Sequence, residues 1–120
     1  MADQPPMTPA EFKALREHLG LTTRWLAHRW KIQETTIQRW ERNRTVPAPL
    51  AADLADLADQ FAAQVTTLRR SRHRDLPVPR RDADSPDAMP ATWHRAIALT
   101  AAHGTRHRLI WKADPTDLES

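Results

Sequence analysis

Leu50, Leu54, Leu57, Phe61, Val65 and Leu68 recur at intervals of 4, 3, 4, 4 and 3 residues. Only an α-helix brings positions so spaced onto one face, so residues 48–70 are expected to form one long helix with a single apolar stripe. Pro47 and Pro49 open it, where a missing N–H does no harm. Asp53, Asp56 and Asp59 lie towards its start and Arg69, Arg70 and Arg72 at its end, the order that the helix dipole favours. The stripe outlasts the short segments before it, which leaves part of it available to a second chain.

The 120 residues leave room for one ordinary domain, or for one small domain plus an appendage. There is no cysteine, which excludes disulfide scaffolds, thiolate zinc sites and cysteine nucleophiles. Glycine occurs only at Gly20 and Gly104, which excludes phosphate-cradling glycine loops. No apolar run approaches the roughly 20 residues that span a bilayer. The opening MADQPPMTPAEF has neither the basic start nor the apolar stretch of a secretory signal, so a cytoplasmic location is expected and no membrane partner.

Charge is unevenly placed. The net charge is +3, yet residues 11–45 alone carry eight basic and four acidic side chains. A polyphosphate partner needs such a concentrated positive face. The same 35 residues read as three short helices. Thr8, Pro9 and Glu11 have the form of a capping box, Phe12, Leu15 and Leu19 recur at helical spacing, and Gly20 closes the run. Thr22 caps a second helix reaching Trp30, with Leu26, Ala27 and Trp30 inward. Lys31-Ile32 is a tight connection, and a third helix runs over residues 33–42 with Ile37 and Trp40 inward. Asn43 is expected to close it in the left-handed conformation that asparagine tolerates.

Residues 75–90 interrupt the helical pattern with Pro77, Pro79, Pro86 and Pro90. Leu76-Pro77-Val78-Pro79 reads as a short edge strand. Pro90 starts a helix to about His103, with Trp93, Ile97 and either Ala101 or Leu99 buried. Gly104 stops it, residues 108–112 form a second strand, and the tail beyond Asp114 is expected to fray. If both strands share a sheet, the helix makes a parallel crossover. Two strands are marginal alone and gain from a second subunit. The expected fold class is therefore mainly α: a helix-turn-helix bundle with a long fourth helix, then a small strand-helix-strand module. The expected domains are residues 1–72 and 73–120.

Two short helices joined by a tight turn form the layout in which the second helix enters the DNA major groove. With Ile37 and Trp40 inward, Glu34, Thr35, Gln38 and Arg39 point outward and Gln33 sits at the tip. Arg39 can take guanine through two hydrogen bonds, Gln33 or Gln38 adenine, Glu34 cytosine, and Thr35 a thymine methyl or a phosphate. Thr23, Arg24, Arg42 and Arg44 flank this face and are expected to hold phosphates without reading sequence. Trp30 and Trp40, at helical spacing beside leucines, read as core rather than as base-stacking platforms; for Trp25 both roles stay open.

The stretch LTTRWLAHRWKIQETTIQRWERNRTVP resembles, without a gap, the Cro/C1-type (xenobiotic-response-element) DNA-binding family. The resemblance rests on Leu21-Thr22, Leu26-Ala27, Ile32, Thr36-Ile37, Arg39-Trp40-Glu41-Arg42 and Pro47, and covers about residues 8–61. It departs from the family pattern at Thr23 in place of glutamine, Lys31 in place of the turn glycine, Gln33 in place of a serine cap and Asn43 in place of the terminal glycine. The whole chain resembles small phage and mobile-element repressors of the anti-CRISPR-associated kind, in which such a unit precedes a C-terminal dimerisation module. The segment PATWHRAIALTAAHGTRHRLIWK corresponds to that module, with Trp93, Ile97, Leu109, Ile110 and Trp111 as its expected interface.

His103 and His107 are four apart, but Gly104 separates them and no third ligand is suitably spaced, so they read as structural, and no metal or cofactor is expected. No catalytic constellation is recognisable, and a non-enzyme is expected. The leading expectation is a homodimeric repressor in a phage or prokaryote that binds double-stranded DNA at an inverted repeat and regulates its own gene. The alternatives are an antitoxin-like adaptor whose C-terminal half binds a partner protein, and RNA binding by the same basic face.

Overall fold

The computed structural model describes residues 6–113; the expectations for the first residues and for the tail from Asp114 fall outside them. The described chain is mainly helical: α1 (Pro9–His18), α2 (Thr23–Trp30), α3 (Glu34–Arg42), α4 (Ala48–Arg69), β1 (Asp75–Val78), a 3-10 turn (Asp82–Asp84), α5 (Ala91–Ala102) and β2 (Arg108–Trp111). It divides into two compact units between Gln60 and Phe61, within α4.

In the N-terminal unit, local chemistry sets each boundary. Thr8 Oγ1 accepts from the Glu11 N–H and the Glu11 carboxylate accepts from the Thr8 N–H, both at 3.0 Å, so the capping box is closed at both contacts. Gly20, at φ 71°, turns the chain out of α1. Thr22 Oγ1 accepts from the Trp25 N–H and starts α2. Lys31 ends α2 at φ 56°, ψ 46°, the left-handed conformation that a side chain makes unfavourable, and its N–H donates to the Ala27 carbonyl. Asn43 departs from expectation. Its φ of −161° is extended, so α3 ends without a left-handed residue.

The core of this unit gathers Phe12, Leu19, Leu21, Leu26, Ile37, Val46, Leu54 and Leu57. Phe12, Trp30 and Trp40 form a three-ring cluster with centroids 6.2–6.3 Å apart, Phe12 and Trp40 edge to face. Two charged contacts hold the helices in place. The Arg16 guanidinium pairs with Glu41 and also donates to the Leu21 carbonyl at 2.9 Å, so one side chain ties α1 to α3 and to the segment leading into α2. Arg29 pairs with Asp53 at 2.8 Å, and the Trp30 indole N–H donates to the same carboxylate at 2.7 Å. The Arg29 guanidinium holds the Asp53 carboxyl below the usual carboxylate range, against a smaller upward push from burial.

In the C-terminal unit, β1 and β2 pair in parallel, with Leu76 opposite Leu109 and Val78 opposite Trp111. Leu76, Val78 and Ala98 form a buried cluster on which Leu68 and Leu109 pack. Trp93 is wholly buried, with Phe61 edge-on at 5.4 Å. Pro90 gives α5 no side-chain cap; Asp82 Oδ1 accepts from the Ala91 N–H at 2.8 Å instead. On β1, the carbonyls of Arg74 and Val78 accept from β2-side amides. Strand alternation therefore aims residues 74, 76 and 78 at β2 and turns Pro77 to the outer edge, where its missing N–H leaves no ladder bond unmade.

Candidate nucleic-acid interface

The left-handed turn at Lys31 sends α3 away from α2 while Ile37 and Trp40 anchor its inner side. The opposite side then faces solvent. Gln33, Thr35, Gln38, Arg39 and Arg42 are exposed, as are Arg24 in α2 and Arg44 after α3. Gln33 makes no side-chain cap, so its amide stays available at the tip of α3.

Glu34 and Thr23 behave differently from the others. The Thr23 hydroxyl donates to the Glu34 carboxylate at 2.7 Å, and both side chains are half-buried. Each opens its helix, so the bond joins the two N-termini. The carboxylate also sits where a helix favours negative charge. A residue expected to read a base and one expected to hold a phosphate are thus partly committed to each other. Nothing in the local sequence signals the pairing, because the two lie 11 positions apart.

The acids of α3 are both engaged, Glu34 by Thr23 and Glu41 by Arg16. Among the described residues, Arg24, Arg39, Arg42 and Arg44 make no ion pair. The exposed side of α3 therefore presents guanidinium and amide donors without a competing free carboxylate. Trp30 and Trp40 lie in the ring cluster and are unavailable for stacking on bases. Trp25 is half-buried, with the Arg29 guanidinium 5.6 Å from its ring centre.

The residues expected at a dimer face separate into three sets. Trp93 and Ile97 are buried in their own unit's core, because the two-stranded sheet is too small to bury its helix partner's apolar face without them. They belong to the core and not to an exposed interface. Leu109 is half-buried under the same cluster. Ile110 and Trp111 are exposed at 38% and 50%. Arg80 and Arg95 place their guanidinium carbons 4.9 and 5.9 Å from the Trp111 ring centre. Ala101 is the buried alternative at the end of α5, so Leu99 is left 65% exposed. The sequence pattern admitted either residue and could not single out Leu99 as a surface feature.

His107 is held by backbone: its Nδ1 lies 2.9 Å from the His73 carbonyl and its Nε2 3.3 Å from that of Arg69. Among the described residues no group of three potential ligands could hold a metal ion, and no helix is long and apolar enough to cross a membrane. No protein-family model matches the chain, and no curated protein matches it.

Proposed function

We propose that the chain is a sequence-specific DNA-binding repressor, acting in the cytoplasm as a homodimer on an inverted repeat. The observation that carries this reading is α3. It is anchored by Ile37, Trp40 and the Arg16–Glu41 pair, and it displays Gln33, Thr35, Gln38 and Arg39 on one exposed, acid-free side. A planar guanidinium beside a carboxamide suits the major-groove edges of guanine and adenine. Arg24, Arg42 and Arg44 flank it as exposed cations and supply the phosphate contacts that set register. Thr23 and Glu34 act on this surface by holding each other at the N-termini of α2 and α3.

One such helix reads too few base pairs for specificity. Two copies about 34 Å apart, one on each half-site, multiply it. The exposed apolar side chains open to that pairing are Trp111 on the α5 face of the sheet, Ile110 on the opposite face and Leu99 on α5. The test is selection of bound sequences from a random DNA library. A recovered palindrome is the expected result. Enrichment of no sequence would reject the reading, and preferential retention of single-stranded RNA would replace it with RNA binding.

A further inference from the structure

Residues 69–75 and 103–108 together hold six arginines, three histidines and one carboxylate, Asp75. Each segment leads into a strand, and the strands are parallel, so both segments arrive at the same end of the sheet. There they are cross-linked. The Arg108 N–H donates to the Arg74 carbonyl at 2.9 Å, Arg69 donates to the His103 carbonyl at 3.0 Å, and the His107 ring lies against the His73 and Arg69 carbonyls. The one carboxylate is occupied, Asp75 pairing with Arg108 at 2.6 Å.

The result is an open groove of about 960 Å³ lined by Arg72, Arg74, Arg106, His107 and Arg108, with only hydroxyl side chains between them. Arg72, Arg74 and Arg106 are exposed and make no ion pair among the described residues. Gathered guanidinium groups repel one another, and an anion relieves that repulsion. The groove has no Phe, Tyr or Trp wall on which a base could stack, its one imidazole, His107, is held against backbone carbonyls, and Arg72, Arg74 and Arg106 are solvent-exposed rather than fixed for base readout. An extended run of phosphates matches such a surface better than a single enclosed anion.

We propose that this groove binds the phosphodiester backbone of duplex DNA, as a second and sequence-independent contact surface separate from α3. The choice of duplex DNA rests on the function proposed above. The chemistry is charge neutralisation with counterion release, so its signature is the salt dependence of binding. Full-length protein and the variant Arg72→Gln/Arg74→Gln/Arg106→Gln are titrated at several salt concentrations against a selected operator, a 20-base-pair random duplex and single-stranded RNA of matching length. The single variant Arg106→Glu is run beside them, and thermal melts establish that each is folded.

The triple variant is expected to weaken operator and random duplex by the same factor, tenfold or more at low salt. Its plot of log affinity against log salt should be shallower by about one unit per lost contact. Arg106→Glu should act in the same direction on both duplexes. If the library yields a palindrome and both variants keep the parental slope, the groove proposal is overturned while the repressor reading stands. If no sequence is selected but random duplex is bound and the slopes fall as described, the groove proposal stands and sequence-specific repression falls. If the variants lose affinity only for RNA, duplex DNA is the wrong ligand.

Discussion

The two units of this chain use their apolar side chains in opposite ways. The N-terminal unit gathers the Phe12, Trp30 and Trp40 rings with Leu19, Leu21, Leu26, Ile37, Val46, Leu54 and Leu57 and turns guanidinium and amide groups outward. The C-terminal unit builds its core from Trp93, Phe61 and Ile97 with Ala91, Ala98 and Ala101, and leaves Leu99, Ile110 and Trp111 outside. Four helices can cover one another's apolar faces. One helix on two short strands covers only part of one face of its sheet: Ile110 points to the far face, Trp111 lies at the end of the near face beside Arg95, and Leu99 is on α5 itself. The first unit therefore shows a mostly polar surface on α3, and the second leaves large apolar side chains in solvent.

Replacing Trp93 strikes at the core of the C-terminal unit. Trp93→Ala is expected to remove about 3–5 kcal/mol from the C-terminal unit, the cost of deleting a large buried ring. The N-terminal unit should keep its protected amides. Hydrogen exchange by region checks this, and equal loss of protection in both units would show that the two cores unfold as one. The indole N–H of Trp93 is buried without a hydrogen-bond partner among the described residues. Trp93→Phe should therefore cost much less than the ring's size suggests.

The exposed Trp111 gives the next effect. Trp111→Ala leaves the core intact, and is expected to weaken self-association by about 2 kcal/mol or more, the scale of an aromatic hot spot. Sedimentation across a concentration series measures it. A dimer of unchanged affinity would move the interface elsewhere, with the remaining apolar surface of α4 as the first alternative.

Within the N-terminal unit, reading and clamping can be separated. Arg39→Ala is expected to cost about 1–3 kcal/mol on the operator and to relax preference at one base pair per half-site. Arg42→Ala should weaken operator and random duplex alike and make the salt slope shallower by about one. If Arg39→Ala lost the same free energy on all DNAs, Arg39 would be a clamp and the reading role would pass to Gln33, Glu34 and Gln38. The smallest effect is a gain. Lys31→Gly relieves the left-handed conformation and should stabilise the N-terminal unit by up to about 1 kcal/mol, read from thermal melts.

What could be read from the sequence follows the range of the interaction concerned. The Thr8–Glu11 capping box, the limits of α4 and the left-handed Lys31 depend on neighbours within one or two turns, and all are present. Asn43 shows the limit of that logic, since a residue tolerant of the left-handed region need not occupy it. The Thr23–Glu34 bond and the Asp82 cap on α5 join residues 11 and 9 positions apart, and no periodicity marks them. Trp93 and Ile97 have the same spacing whether they face a core or a partner; burial alone distinguishes the two. The arginine groove escapes segment-by-segment charge counting altogether. Arg72 and Arg74 are offset in sequence by the acids of α4, Arg106 and Arg108 by those of the last 45 residues, and only the parallel pairing brings the two halves together.

Pro77 sets how far the small sheet can grow. It stands on the outer edge of β1 with no N–H to offer, so an incoming strand finds a broken ladder there. The outer edge of β2 has no proline, and among the described residues nothing pairs with it. A second copy adding its own β2 to that edge would give a four-stranded sheet with a Pro77 at each margin. The same residue that weakens one strand would then make assembly self-limiting, halting it at two copies rather than letting strands accumulate into a fibre.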